Sequence, residues 1–238
     1  MTMGIPPERY STNIALPLPT DKEIGPDMVN ELQQSHDLNV ARMLAGTADM
    51  FSGAKALVQA VFQAKDIDPR LRELIILRSA YLLNCPYEWQ ANVVMAKNTG
   101  CTQAEIDAVT VDGPATGIGL EIDLVMLATD ELTTTATLTD DTLQRLRSHY
   151  DDVICRKLVL IIGWFNLLAR FLIKRLSRAV RVRGQARHTN LASWLTDVTK
   201  TCGRRLHSIQ KGLASMSNEA PILVTGAATK RVTRPYMP

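Results

Sequence analysis

With 238 residues, of which 46% are hydrophobic and 21% charged, the chain suits one domain, or one domain with an appendage, and can bury a substantial core. The net charge of +3 conceals a split: residues 1–173 carry 14 Lys+Arg against 22 Asp+Glu, whereas residues 174–238 carry 13 against 2. Four scattered cysteines and no signal-peptide pattern at the start exclude a disulfide-stapled secreted domain and favour a cytoplasmic, reducing home.

In chain order, residues 1–26 hold Pro6, Pro7, Pro17, Pro19, Gly25 and Pro26, which predicts an extended arm with no regular element of its own. Helical signals fill residues 27–176. Asp27 heads a short helix through Gln34, Asp37 caps Leu38–Leu44, and Ser52–Ala64 carries apolar faces. Asp68-Pro69 is a capping carboxylate followed by proline at the first helical position. Leu71, Leu74, Ile75, Arg78 and Leu82 then recur at amphipathic spacing. Pro86 opens the next helix and Gly100 closes it, while Thr102 and Glu105 have the spacing of a capping box. After a loop over 111–119 come helices over 120–133, over 140–150 behind Thr139, and over 153–173.

That last helix contains LVLIIGWFNLLARFLI, shorter than the ~20 apolar residues of a membrane span and interrupted by Asn166 and Arg170. It is expected to be a central core helix or a subunit contact, and no membrane partner is expected. With no strand pattern in the body and an alanine- and leucine-rich composition, the fold class is all-α, a compact helical bundle.

Chemistry concentrates in RLRELIILRSAYLLNCPYEWQANVVMAKNTG, residues 70–100. Cys85, Glu88 and Asn92, three and then four residues apart, share one helix face. Cys85 sits at the helix N-terminus, where free N–H groups and the dipole favour a thiolate. Glu73 lies on the preceding helix and faces the same pocket if the two pack antiparallel. Two carboxylates in one dry pocket cannot both ionise easily, so one should keep its proton near neutrality. Tyr87, Trp89 and Trp164 are expected as pocket wall or core, and Asn166 and His36 as residues that can approach the site. The plainer assignments are a helix-surface ion pair for Glu73 with Arg70, Arg72 or Arg78, a small buried hydrophobe for Cys85, and structural contacts for Glu88 and Asn92. Cys85, Cys101, Cys155, Cys202 and the isolated histidines show no metal-ligand spacing.

RELIILR, YEWQANVVMAKNTG, ATDEL and IGWFNLLARFL together resemble the carboxymuconolactone decarboxylase superfamily, which includes the alkyl hydroperoxidase D proteins, over about residues 36–171. The resemblance implies an alkyl hydroperoxidase D-like helical fold, a small-molecule substrate, no cofactor or metal, and a homo-oligomer, a trimer or hexamer. Its redox branch carries glutamate, eleven residues, cysteine, two residues, cysteine, three residues, histidine. Here Glu73 and Cys85 hold the first two positions, but Glu88 and Asn92 replace the second cysteine and the histidine. Glu88 cannot form a disulfide and Asn92 cannot shuttle a proton near neutral pH. The expectation is therefore cofactor-free acid/base or decarboxylation chemistry on a small organic acid or lactone, carried by Glu73 and Glu88 with Cys85 and Asn92 beside them. Two alternatives stay open: a Cys85 thiol peroxidase with an external resolving thiol, and a non-catalytic helical oligomer.

Residues 174–215 are basic with no sustained helical period, and nucleic acid is expected only through the tail over 177–238, if at all. MSNEAPILVTGAA, residues 216–228, resembles the start of a short-chain dehydrogenase/reductase, but its glycine-rich turn is never completed. The tail is expected to be a disordered segment or a product of frameshift or read-through.

Overall fold

The structure, a computed structural model, describes residues 16–34 and 38–176. The expectations for His36 and for the basic tail lie outside the described residues.

All regular structure among the described residues is helical. Residues 16–20 lead into a one-turn helix α1 (Asp21–Ile24), followed by α2 (Pro26–Gln34), α3 (Asn39–Ala45), a 3-10 turn (Ala48–Met50) and α4 (Phe51–Phe62). Then come α5 (Pro69–Leu82), α6 (Pro86–Asn98), α7 (Gln103–Ala108), α8 (Leu120–Thr135), α9 (Asp140–His149) and α10 (Asp152–Leu176). Local chemistry explains most of the boundaries. The Asp68 side chain accepts the Arg70 N–H at 2.9 Å, Thr102 and Glu105 form the capping box, and Thr139 caps α9 through the Thr142 N–H at 3.2 Å.

The arm differs from the expectation. Glu23 accepts the Thr20 N–H at 2.6 Å, which caps the start of α1, and Pro26 heads α2 at its first position. Arg42 of α3 holds the arm by donating to the Pro19 carbonyl at 3.2 Å and to Asp21 at 2.7 Å.

The central element also differs. α5 is buried continuously from Leu71 to Ala80 and packs against α6, α8 and α10. Complete burial of Leu74, Ile75, Ile76 and Leu77 contributes about 1.5–3 kcal/mol for each side chain. α10 instead keeps one open side, where Val153, Leu160 and Leu167 are each more than half exposed. The sequence pattern hides the role of α5 because its arginines read as surface residues. Arg78 is 1% exposed, and its five N–H donors are all used. It donates to Asp130 at 2.6 and 2.9 Å, and to the carbonyls of Val109, Val111 and Gly113 at 3.2, 2.8 and 2.5 Å. This clamp fastens the loop after α7 and the middle of α8 to the central helix. Among the described residues, no helix is long and apolar enough to cross a membrane.

Candidate functional site

The α5–α6 hairpin turns on three residues, Leu83, Asn84 and Cys85. Asn84 adopts the left-handed conformation (φ 52°), which asparagine tolerates better than most residues. Its N–H donates to the Tyr81 carbonyl at 3.1 Å, and the Cys85 N–H donates to Ala80 at 2.8 Å. This is a Schellman closure of α5. The Cys85 carbonyl then accepts the Trp89 N–H at 3.1 Å, so one residue ends α5 and caps α6. Gly100 (φ 94°) and Cys101 repeat the closure at the far end of α6, with the Cys101 N–H on Ala96 at 2.8 Å.

The hairpin holds a concentration of buried polar atoms without hydrogen-bond partners: both carboxyl oxygens of Glu73, both of Glu88, Asn92 Oδ1, Ser79 Oγ, Asn84 Oδ1 and Arg72 Nε. Glu73 is 0% and Glu88 2% exposed, which places two carboxyl groups inside the apolar interior. Unpaired polar groups in such a setting cost ~1–3 kcal/mol each, so their clustering marks the hairpin as the place where folding has been compromised.

Each group responds in its own way. Burial pushes the Glu73 carboxyl up from 4.5 to about 7, opposed by the charge of Arg72 beside it. Burial alone raises Glu88 well above the ordinary carboxyl value, which favours its protonated form. Cys85 receives the Tyr87 and Glu88 backbone N–H groups, as its helix-terminal place predicts. Burial and the neighbouring Glu88 outweigh them and push its thiol up to about 12. The expected thiolate is thereby corrected to a neutral thiol.

One of the two carboxyls was expected to keep its proton near neutrality; each is raised by burial. Counting 1.5 Å per residue from the turn, Glu73 lies roughly 13 Å along α5 and Glu88 only about 3 Å along α6. Neither shift arises from the other's charge. Cys85, Tyr87 and Glu88 form an electrostatic group at the turn. Glu73 sits farther along, close enough to act on Cys101 at the far end of α6. Asn92 does not reach a carboxyl: its Nδ2 donates to the Glu88 main-chain carbonyl at 2.8 Å.

Of the other expected residues, Tyr87 is half-buried, with burial raising its hydroxyl to about 12 against a hydrogen bond from the Val40 backbone. Trp89 and Trp164 lie in the core. Asn166 belongs to the seam between α8 and α10. Its Nδ2 donates to Thr133 Oγ1 at 3.0 Å and to the Ile162 carbonyl at 2.9 Å, and its Oδ1 accepts from Arg170 at 2.9 Å. Those bonds satisfy the amide without a pocket. Sequence reasoning passed over Arg72, Ser79 and Asn84 as site components. The polar Ser79 within the apolar run IILRSA, and the doubled charge Arg72-Glu73, were the signals available.

A cavity of about 630 Å³ lies elsewhere, lined by Leu16, Pro17, Ile24, Met28, Met43 and Phe171 among others, and none of the candidate site residues borders it. Among the described residues, no three His, Cys, Asp or Glu side chains are grouped to hold a metal ion.

Comparison with known proteins agrees with this architecture. Residues 48–130, which include the whole hairpin, match the carboxymuconolactone decarboxylase family. An uncharacterized peroxidase-related protein from Silicibacter sp. TM1040 shares the fold at 16% identity and a TM-score of 0.57. The match covers 70% of this chain and 91% of that one. A protein of unknown function from Agrobacterium tumefaciens, suggested to be the antioxidant defence protein AhpD, matches at 22% identity and a TM-score of 0.48, over 55% of this chain and 90% of that one. No curated protein matches the chain.

Proposed function

We propose that the protein is a cofactor-free acid/base enzyme of the carboxymuconolactone decarboxylase type, acting on a small organic acid or lactone. The supporting observation is that the hairpin buries two carboxyls in different surroundings: Glu73 is raised to about 7 beside the charge of Arg72, and Glu88 is raised well above the ordinary 4.5 by burial alone. Carboxyls whose surroundings push them apart can divide the work of base and acid. In this reading ionised Glu73 accepts a proton from the substrate. When carbon dioxide leaves, the electron pair remains on carbon, and Glu88 transfers its proton there. Before the next turnover the Glu88 carboxylate, unstable in apolar surroundings, regains a proton from solvent, and Glu73 releases to solvent the proton it took. All four groups are nearly closed to water, so a substrate enters only when the packing around the hairpin opens.

The test is a screen of the purified protein against small carboxylated lactones and β-keto acids, run in deuterated water and read by carbon dioxide release and deuterium uptake. One solvent deuterium per product, with at least about 100-fold loss in Glu73→Gln and in Glu88→Gln, is the expected result. Absence of turnover on every such substrate, together with thiol-dependent hydroperoxide consumption, sinks the reading.

That second result corresponds to a thiol peroxidase, favoured by the two N–H groups directed at Cys85 Sγ. There the Cys85 sulfur bonds to the distal peroxide oxygen as the O–O bond breaks, the alkoxide leaves as an alcohol with the thiol proton, and the sulfenic acid is reduced by two equivalents of external thiol to give a disulfide and water. Cys101 is a poor resolver, because it is held at the far end of α6 with its Sγ on the Arg70 carbonyl at 3.6 Å. Cys85→Ala separates the readings: acid/base turnover survives it and peroxide turnover does not.

The open apolar side of α10, with Val153, Leu160 and Leu167 seven residues apart, supports the homo-oligomer that the superfamily implies. Light scattering of the wild type against Leu160→Glu measures it.

A further inference from the structure

We propose that Arg72 is the positioning residue of the candidate site: anchored by the Phe62 carbonyl and ring, its guanidinium holds a fixed countercharge against the Glu73 carboxyl inside the helical core. The proposal rests on the reading that Glu73 is the group exchanging protons.

The geometry is that of a held cation rather than a surface ion pair. Arg72 is 5% exposed, and its Nη1 donates to the Phe62 carbonyl at 3.1 Å. The guanidinium lies over the Phe62 ring, 4.6 Å from its centroid, a cation–π contact strengthened by the absence of water. Phe62 is in turn braced edge-on by Phe165 of α10, with ring centroids 6.1 Å apart and an interplanar angle of 81°. Three helices thus fix the position of one positive charge.

Arg72 Nε lies 3.7 Å from Glu73 Oε1. That distance gives strong electrostatic contact and at most a weak, stretched hydrogen bond, so neither Glu73 oxygen has a donor within ordinary bonding length. A bidentate bridge of the Arg78–Asp130 kind would neutralise the charge and also occupy the oxygens. The looser pair supplies the countercharge and leaves the acceptors free for a proton. An isolated carboxylate would be far too costly at a site with no exposure.

The other charged or titratable groups around the pair are consistent with this role. Asp68, at the start of α5, acts on Arg72. Cys101, beyond the end of α6, feels Glu73 but is a neutral thiol raised to about 11. Arg70 and Glu105 are bonded to each other. Phe62 of α4 and Phe165 of α10 bring no charge. Arg72 is therefore the cation acting on Glu73 among the described groups.

Infrared titration of the full-length protein tests the proposal without any substrate, by following the protonated carboxyl stretch that disappears in Glu73→Gln. In Arg72→Met the midpoint should rise by about one pH unit or more, and Arg72→Lys should restore part of the shift. Phe62→Leu removes the ring stack while keeping the carbonyl, and should also raise the midpoint; it carries the test if Arg72→Met does not fold. An unchanged midpoint in a folded variant overturns the proposal. Because this readout needs no turnover, it stands or falls separately from the assigned reaction. Once a substrate is in hand, the acidic limb of the pH–rate profile should move with the infrared midpoint while KM stays nearly constant. A limb that stays put while the midpoint moves would make Arg72 structural only, which also overturns the proposal.

Discussion

Arg78 and Glu73 stand five residues apart on the same central helix, both essentially closed to water and both carrying ionisable groups. Around Arg78 every donor has an acceptor, supplied by Asp130 and three loop carbonyls. Around Glu73 neither oxygen has a donor, and Glu88, Asn92, Ser79 and Asn84 leave further atoms unpaired nearby in the hairpin. The contrast teaches that burial of charge alone does not separate scaffold from site. Saturation of hydrogen bonds does: a satisfied buried charge fastens elements together, while an unsatisfied one is held at a cost that packing around α5 must offset.

The contrast can be broken most forcefully at Arg78. Arg78→Met leaves Asp130 and three carbonyls without their donor, and should lower stability by about 3–5 kcal/mol in urea denaturation. Arg78→Lys should recover little of it, since one ammonium cannot replace a five-donor fork. A cost under 1 kcal/mol would show that the clamp is not structural.

Glu73→Gln should behave in the opposite way. The folded-state value of about 7 lies above the ordinary 4.5, so between those limits the folded protein keeps a proton that the unfolded chain has lost. Stability therefore falls as pH rises through that window and levels off above it. Glu73→Gln removes this loss, gaining about 3 kcal/mol at pH 8 and almost nothing at pH 4, while turnover disappears. Parallel melts of both proteins at the two pH values check the sign, and a variant less stable at pH 8 would mean that Glu73 is scaffold.

Smaller effects sharpen the boundary of the satisfied region. Asn166→Ala strips partners from Thr133 and Arg170, and should cost about 1–3 kcal/mol in thermal or chemical denaturation with turnover unaltered. A loss of turnover without a loss of stability would return Asn166 to the site. Thr102→Ala removes only the α7 cap and should cost about 1 kcal/mol.

Much of this was legible one residue at a time. Asp68-Pro69, Thr102 with Glu105, Thr139 and Gly100 act on backbone groups within a few positions, so their helix boundaries could be read directly. The hairpin and its unusual set of one thiol, two carboxyls and an amide were legible for the same reason. The centrality of α5 was not, because Arg72 and Arg78 interrupt an apolar pattern, and only partners from 10 to 52 residues away explain their burial. Asn166 was assigned to a pocket because a polar residue in an apolar helix demands a bond, yet sequence does not say whether Thr133 or a ligand provides it.

The sequence by itself determined where the helices from α5 to α9 begin, that a tight break separates α5 from α6, and which reactive groups lie around that break. The tertiary structure decided their surroundings: burial raises the Cys85 thiol to about 12, raises Glu88 well above the ordinary carboxyl value, and leaves Glu73 near 7 beside a fixed arginine. Helix caps depend on neighbours in the chain, whereas ionisation depends on lost water and on the distance to other charges, and both of those are set only when distant helices pack.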